Sequence, residues 1–413
     1  MNKLIKNIKF RPGKDWIYYA PDTRYVFGEP EKKAVRVALE VGWLGTSKIT
    51  ANFEDSVAKI FGKKYGLFVN SGSSANLLAL EALNFPKNGE VITPACTFNT
   101  TVAPIVQNGL VPVLVDVRAS TYQIDVNEMK RALSKKTVAV LAPHLIGNFV
   151  ELKAIRDFCK KNKLMFIEDS CDTLGGLHRE KPSGAWSDIT TTSFYASHII
   201  TAAGAGGMLM TDDKKILERA KVFASWGRGI KSYLEPIEER LSVFEVDGRL
   251  YDSAFAFVQL GYNFRPTEIQ AAFGLAQLKR LSGFRSARRA NFISLMKFFG
   301  KYDKYFVLPE ECADSEVHWL AFPLLIRPGA PFSRSELVTY LESRKIQTRP
   351  IFSGNILKHD AYKGVKHRVV GDLKNSQAIL HNGFLLGLHH TLTKGMMNYV
   401  FSSLEEFLAY KTK

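Results

Sequence analysis

Four short stretches of this sequence bring together residue types that could do chemistry. SFYASHIITAAGAGGMLMT, residues 193–211, is a β-like run, a polar turn and a series of small residues leading into another strand. Such a turn suits a lysine nucleophile, but the sequence has His198 there, an imidazole able to take a proton near neutral pH. In FIEDSCDTLGG, Asp169 closes an apolar run and Asp172 follows three residues later. A carboxylate in that position needs a cation or donors. Facing a protonated ring nitrogen it would keep a heteroaromatic ring an electron sink; otherwise it caps the next segment. In NSGSSANLLAL, a Gly-Ser-Ser turn opens a helix, so free backbone N–H groups and the hydroxyls of Ser73 and Ser74 suit a phosphate, or simply cap the helix. In PACTFNTTVAP, Phe98 stands among small polar residues, either as a stacking face for a flat ring or as core.

These groups need elements to hold them. GLFVN, TVAVLAPHL, LMFIED, DITTTSFY and GGMLMT read as short buried strands, separated by helical stretches such as SANLLALEAL and VELKAIRDFCKKN. The alternation predicts an α/β domain with a mostly parallel sheet, whose ligand sits beyond the carboxyl ends of the strands. From about Leu281 the rhythm changes to a long amphipathic helix, a strand in VHWLAFPLLI, a helix at SRSELVTYLESR and a strand at IQTRPIF. The expected organisation is a large domain over 1–282 and a smaller α+β domain over 283–413.

The composition narrows the classes. The chain has 413 residues, 46% of them hydrophobic, enough for two domains. Four scattered cysteines form no C-x-x-C pair, and no apolar run reaches membrane-spanning length, so a soluble, unexported, cytoplasmic protein is expected. The charge of +16 is spread along the chain without a nucleic-acid motif and equally suits a multiply anionic small substrate.

In this order the stretches resemble the DegT-type sugar aminotransferases, pyridoxal-phosphate enzymes of the aspartate-aminotransferase fold (fold type I). The likeness runs from WLGTSKITANFEDSVAKIFGKKYGLFVNSGSSANLLAL through LGYNFRPTEIQAAFGLAQLKRL to HRVVGDLKNS. It implies that Gly72, Ser73 and Ser74 hold the cofactor phosphate with Ser193, that Phe98 stacks on the ring, and that Asp169 pairs with its nitrogen, with Asp172 close by. Asn263 would reach the phosphate of a neighbouring subunit in a homodimer, and Arg265, Arg349 and His389 would contact the substrate. Family members ordinarily carry a cofactor-binding lysine five residues after that serine, where this chain has His198. That exchange resembles the 3-dehydratase branch, which removes the C3 hydroxyl of nucleotide-linked 4-keto-6-deoxyhexoses using pyridoxamine phosphate.

Some members of that branch carry an iron-sulfur cluster and a partner reductase; others regenerate the amine cofactor with L-glutamate. Cys171 matches the first cluster ligand, yet no cysteine occurs between Cys171 and Cys312, so four thiolates cannot gather and no metal is expected. The expectation is the redox-neutral, glutamate-linked type. A dehydratase feeding a reductase, and a silent homologue that only binds cofactor or nucleotide sugar, are the alternatives.

Overall fold

A computed structural model describes residues 9–229, 236–242 and 244–411. Seven strands follow in the first half: β1 (Tyr65–Val69), β2 (Glu90–Pro94), β3 (Val111–Val115), β4 (Thr137–Pro143), β5 (Met165–Ser170), β6 (Ile189–Ser193) and β7 (Gly207–Thr211). With β11 (Arg368–Val369) they form a sheet of order β1-β7-β6-β5-β4-β2-β3-β11. β7 runs antiparallel to β1 and β6, and the other pairings are parallel. The uninterrupted burial of β2, β3 and β7 is what a sheet covered on both faces requires, and their sequences show no polar alternation.

A second sheet, order β8-β9-β12-β10, is antiparallel and uses β8 (Phe306–Val307), β9 (Ala321–Ile326), β10 (Thr348–Pro350) and β12 (Gly383–Gly387). The helices that matter for the site are α1 (Glu29–Val41), α2 (Lys48–Phe61), α3 (Gly72–Leu83), α4 (Asn99–Gln107), α7 (Glu268–Leu278) and α8 (Leu281–Phe299), with α5 (Leu152–Asn162) and α6 (Lys214–Ala224) between them. The expected division at residue 282 falls in the first turn of α8. Chain crossings tie the two halves: β11 joins the first sheet, residues 315–316 pair with 177–178, and Ile17 bridges Ile346. Apolar side chains of both sheets share one core around Phe166, Phe299 and Phe322. Among the described residues no helix is long and apolar enough to cross a membrane.

Candidate active site

The carboxyl ends of β1, β2, β4, β5 and β6 open onto one cavity of about 480 Å³. Its lining brings together Gly72, Ser73, Phe98, Asp169, Asp172, Ser193, His198 and Arg349, residues far apart in sequence. The N-terminus of α3 provides one end. Ser71 is its N-cap, accepting from the Ser74 N–H at 3.1 Å, while the Ser74 hydroxyl is turned back to Asn70 at 2.7 Å. Ser71, Gly72 and Ser73 therefore face the cavity and Ser74 does not line it. Gly72 is required here by close approach. A Cβ on it would lie 2.7 Å from Cys171 Sγ and 2.7 Å from Ser193 Cβ, so no side chain fits between them.

Asp169 sits at the end of β5, 4% exposed, and among the described residues no basic side chain pairs with it. Three donors hold it: Asn76 Nδ2 and Thr101 Oγ1 both reach Oδ2 at 2.8 Å, and the Cys171 N–H reaches Oδ1 at 3.1 Å. Thr191 in turn donates to Asn76 Oδ1 at 2.5 Å, which fixes the amide with its NH2 toward the carboxylate. All three donors are neutral, so they orient the carboxyl group without supplying a counter-charge, an arrangement suited to a cationic ring nitrogen. Asp172 accepts from Ile146 N–H at 2.8 Å, holding that β-branched residue at φ 62. Burial, together with Asp169, pushes the Asp172 carboxyl up to about 7.

His198 follows β6 in a turn that the sequence builds tightly. The Thr201 hydroxyl donates to Phe194 O at 3.0 Å and accepts from Gly204 N–H at 2.8 Å; Gly206 at φ 141 returns the chain against Phe68. Ile199 and Ile200, both buried, anchor the turn beside Phe53 and Phe194. The imidazole is half-buried, and its Nδ1 is buried without a hydrogen-bond partner. Burial lowers its pKa to about 4, against the upward pull of the Cys171 backbone. It is thus a neutral ring at physiological pH. Among the described residues that line the cavity there is no lysine.

Of the other expected contacts, Phe98 and Arg349 line the cavity, while His389, Arg265 and Asn263 do not. Phe98 is 53% exposed, with its ring 6.0 Å from that of Phe352, so it walls the cavity rather than filling the core. Arg349 lines the cavity on β10, its guanidinium 5.8 Å from the Tyr19 ring centroid. His389 is buried with both nitrogens used, one on Tyr18 O at 2.9 Å and one on the Thr391 hydroxyl at 2.7 Å, and it does not line the cavity. Arg265 donates to Thr46 Oγ1 at 2.6 Å in a neighbouring groove, and Asn263 is exposed. Sequence reasoning missed Asn76, Thr101 and Tyr19. Asn76 carried a signal, a polar side chain among the apolar positions of SANLLALEAL; Tyr19 carried none, since it arrives from the N-terminal segment.

The family description of the DegT/DnrJ/EryC1/StrS aminotransferases matches residues 26–405. The chain belongs to this family. Within it the chain is 37% identical to the lipopolysaccharide biosynthesis protein RfbH of Salmonella typhimurium, over 94% of this chain and 91% of that one. It is also 37% identical to the dTDP-4-dehydro-2,6-dideoxy-D-glucose 3-dehydratase of Saccharopolyspora spinosa, over 93% and 85%. A GDP-4-keto-6-deoxymannose 3-dehydratase solved with a trapped PLP–glutamate geminal diamine superposes with a TM-score of 0.84 at 30% identity, covering 94% of this chain and 99% of that one. The fold of this DegT-family chain is accordingly that of the fold type I pyridoxal-phosphate enzymes.

Proposed function

We propose that this chain is a pyridoxal/pyridoxamine-phosphate-dependent 3-dehydratase that removes the C3 hydroxyl of a nucleotide-linked 4-keto-6-deoxyhexose, is redox-neutral, and uses L-glutamate to renew the amine cofactor. One observation carries the reading: the cavity offers Asp169 and a neutral His198, and among the described residues no lysine lines it. The relatives named as 3-dehydratases and the glutamate adduct held by one of them support it. The residues present fit the cofactor, because Ser71, Gly72 and Ser73 at the start of α3 face the cavity and among the described residues no basic side chain pairs with Asp169.

When bound, the cofactor supplies an amine for the sugar ketone and a ring that accepts electrons. Ser71, Gly72, Ser73 and Ser193 would hold its phosphate, Phe98 would cover the ring, and Asp169 would keep the ring nitrogen protonated. His198 accepts the proton whose loss drives the hydroxyl out. An imidazole makes no stable covalent link to the cofactor, so His198 serves only to move a proton and does not recapture the cofactor as a lysine would. Arg349, beside Tyr19 in the lining, would meet an anionic group of the nucleotide sugar or the glutamate carboxylate. The product would serve the making of a 3,6-dideoxysugar for lipopolysaccharide or a secondary metabolite.

Two exposed apolar runs support a homodimer. Val37, Leu39, Val41, Trp43 and Leu44 lie at the end of α1 and beyond it, and Phe255, Phe257, Val258 and Leu260 precede Asn263. Leu44 O accepts from Glu268 N–H at 3.0 Å, which sets the first run against the start of α7.

The deciding experiment supplies a panel of nucleotide-linked 4-keto-6-deoxyhexoses with cofactor and glutamate alone. Ammonia release with a 3-deoxy product, from protein free of stoichiometric iron, is expected. A requirement for a reductase, or two irons per chain, would overturn the redox-neutral reading.

A further inference from the structure

Residues 17–19, from the N-terminal segment, are fastened to the second sheet by a dense set of bonds. Ile17, 4% exposed, bridges Ile346 in parallel: its N–H donates to Lys345 O at 2.8 Å and its carbonyl accepts from Gln347 N–H at 2.9 Å. Tyr18 O accepts from His389 Nε2 at 2.9 Å, and Tyr19 N–H donates to the Gln347 side-chain oxygen at 3.0 Å. Gly387, the last residue of β12, permits the close approach. A Cβ there would stand 2.8 Å from Tyr18 O and 3.1 Å from Tyr19 O.

The fastened segment ends in the cavity. Tyr19 is half-buried in its lining, and Arg349 of β10 lies alongside with its guanidinium 5.8 Å from the phenol ring centroid. The ring packs against the core that both sheets share, a task phenylalanine would perform as well. The hydroxyl, however, has no hydrogen-bond partner among the described residues, although a phenol out of bulk water ordinarily finds one. Burial holds this phenol above its ordinary pKa, so it keeps its proton and can donate. Arg349 uses one nitrogen on Thr348 O at 2.9 Å, and among the described residues no carboxylate pairs with it. A neutral donor beside an unpaired guanidinium, both open to one cavity, suits an oxyanion.

We propose that residues 17–19 are a strap that completes the substrate side of the cavity, and that the Tyr19 hydroxyl, together with Arg349, holds an oxyanion of the substrate. This rests on the reading of the cavity as the dehydratase site. Both substrates named in that reading carry such a group: the diphosphate of the nucleotide sugar and the carboxylates of L-glutamate. The cofactor phosphate has its own donors at the start of α3 and does not need Tyr19. Because backbone contacts deliver the phenol, Gly387, a residue outside the cavity lining, controls its place.

The test uses the full-length, cofactor-loaded protein and two kinds of probe. GDP, CDP and dTDP are titrated by calorimetry, and L-glutamate is titrated by its conversion of the aldehyde cofactor to the amine, read by absorbance. Tyr19→Phe removes the hydroxyl and keeps the ring. It should weaken the diphosphate, the glutamate or both by roughly tenfold, the usual worth of a hydrogen bond to a charged group, while cofactor affinity stays within about twofold. Whichever ligand is weakened names the source of the oxyanion. Gly387→Ala should weaken the same ligand; if that variant does not fold, Gln347→Leu, which removes the acceptor of Tyr19 N–H, takes its place. Unchanged affinity for both ligands in Tyr19→Phe, a matching loss of cofactor, or a folded strap variant with wild-type affinities would each overturn the proposal. Wild-type protein that bound neither ligand would overturn it together with the reading of the site. Neither titration requires turnover of a sugar, so a sugar that binds without being dehydrated counts against the proposed reaction and not against Tyr19.

Discussion

At the scale of single residues, the proposed dehydration turns on His198 standing where a lysine would hold the cofactor. A primary amine would hold the cofactor covalently; the imidazole only moves protons. His198→Asn should therefore keep fold and cofactor but lose dehydration by at least about a hundredfold, the usual worth of a positioned base. Near-native turnover in that variant would transfer the proton to another group, with Ser197 the nearest candidate in the lining. In His198→Lys, borohydride reduction before denaturation should add the cofactor's mass to the chain, whereas the native protein should remain unmodified. A reduced adduct in the native protein would mean that a different residue holds the cofactor.

At the scale of elements, the site depends on strand ends meeting a helix start. α3 begins where β1 ends, and Gly72 is the residue at which Cys171 after β5 and Ser193 at the end of β6 converge. Gly72→Ala places a Cβ 2.7 Å from both, and neither neighbour is free to withdraw, because Ser193 is in a sheet strand and Cys171 follows one directly. The expected result is at least about a tenfold loss of cofactor affinity, read by absorbance titration, with the helix itself retained, since alanine is the better helix former. Unchanged affinity would show that the phosphate does not use this helix start. The N-cap is a separate matter: Ser71→Ala should cost about 1 kcal/mol of stability through the lost bond to Ser74 N–H.

For the molecule as a whole, buried histidines set the response to acid. Burial lowers His198 to about 4, His318 and His389 to about 3, and His390 well below its ordinary value. Between those values and 6.5 the unfolded chain binds protons that the folded chain refuses, so their contribution is full above 6.5 and is lost as pH falls. Glu54 and Asp172, both raised to about 7 by burial, act oppositely over roughly pH 4 to 7 but are fewer. The melting temperature should consequently be lower at about pH 5 than at about pH 7; an equal or higher value would show that the histidines are hydrated or paired in solution. Assembly offers a second whole-molecule test. Leu260 is 96% exposed, so Leu260→Asp costs the monomer nothing in packing. In a homodimer built on this run it should shift the mass in light scattering to one chain and abolish activity; an unchanged mass would clear this run from the interface.

The local order of polar and apolar residues was enough to determine an α/β fold with a mostly parallel sheet, while the candidate groups came from the family resemblance that the motifs carry together. Strand-ending Asp169, the turn at His198 and the helix start at Gly72 each sit at a boundary between an apolar run and a polar turn. In a mostly parallel sheet such boundaries gather at one edge. That geometry follows from the pleat and the crossover rule, which operate on neighbouring stretches of chain. What lay beyond reach was every decision made between distant segments. Nothing near His389 in sequence says that Tyr18 will occupy its ring nitrogen, nothing near Asp169 says that Asn76 and Thr101 will donate to it, and the arrival of Tyr19 depends on Ile17 bridging Ile346. Tyr19 is the plainest case: in the sequence it is one more aromatic residue of the N-terminal segment. Only tertiary packing brings its unpartnered hydroxyl to the cavity, because whether a polar group is solvated, paired or bare depends on the walls that close around it.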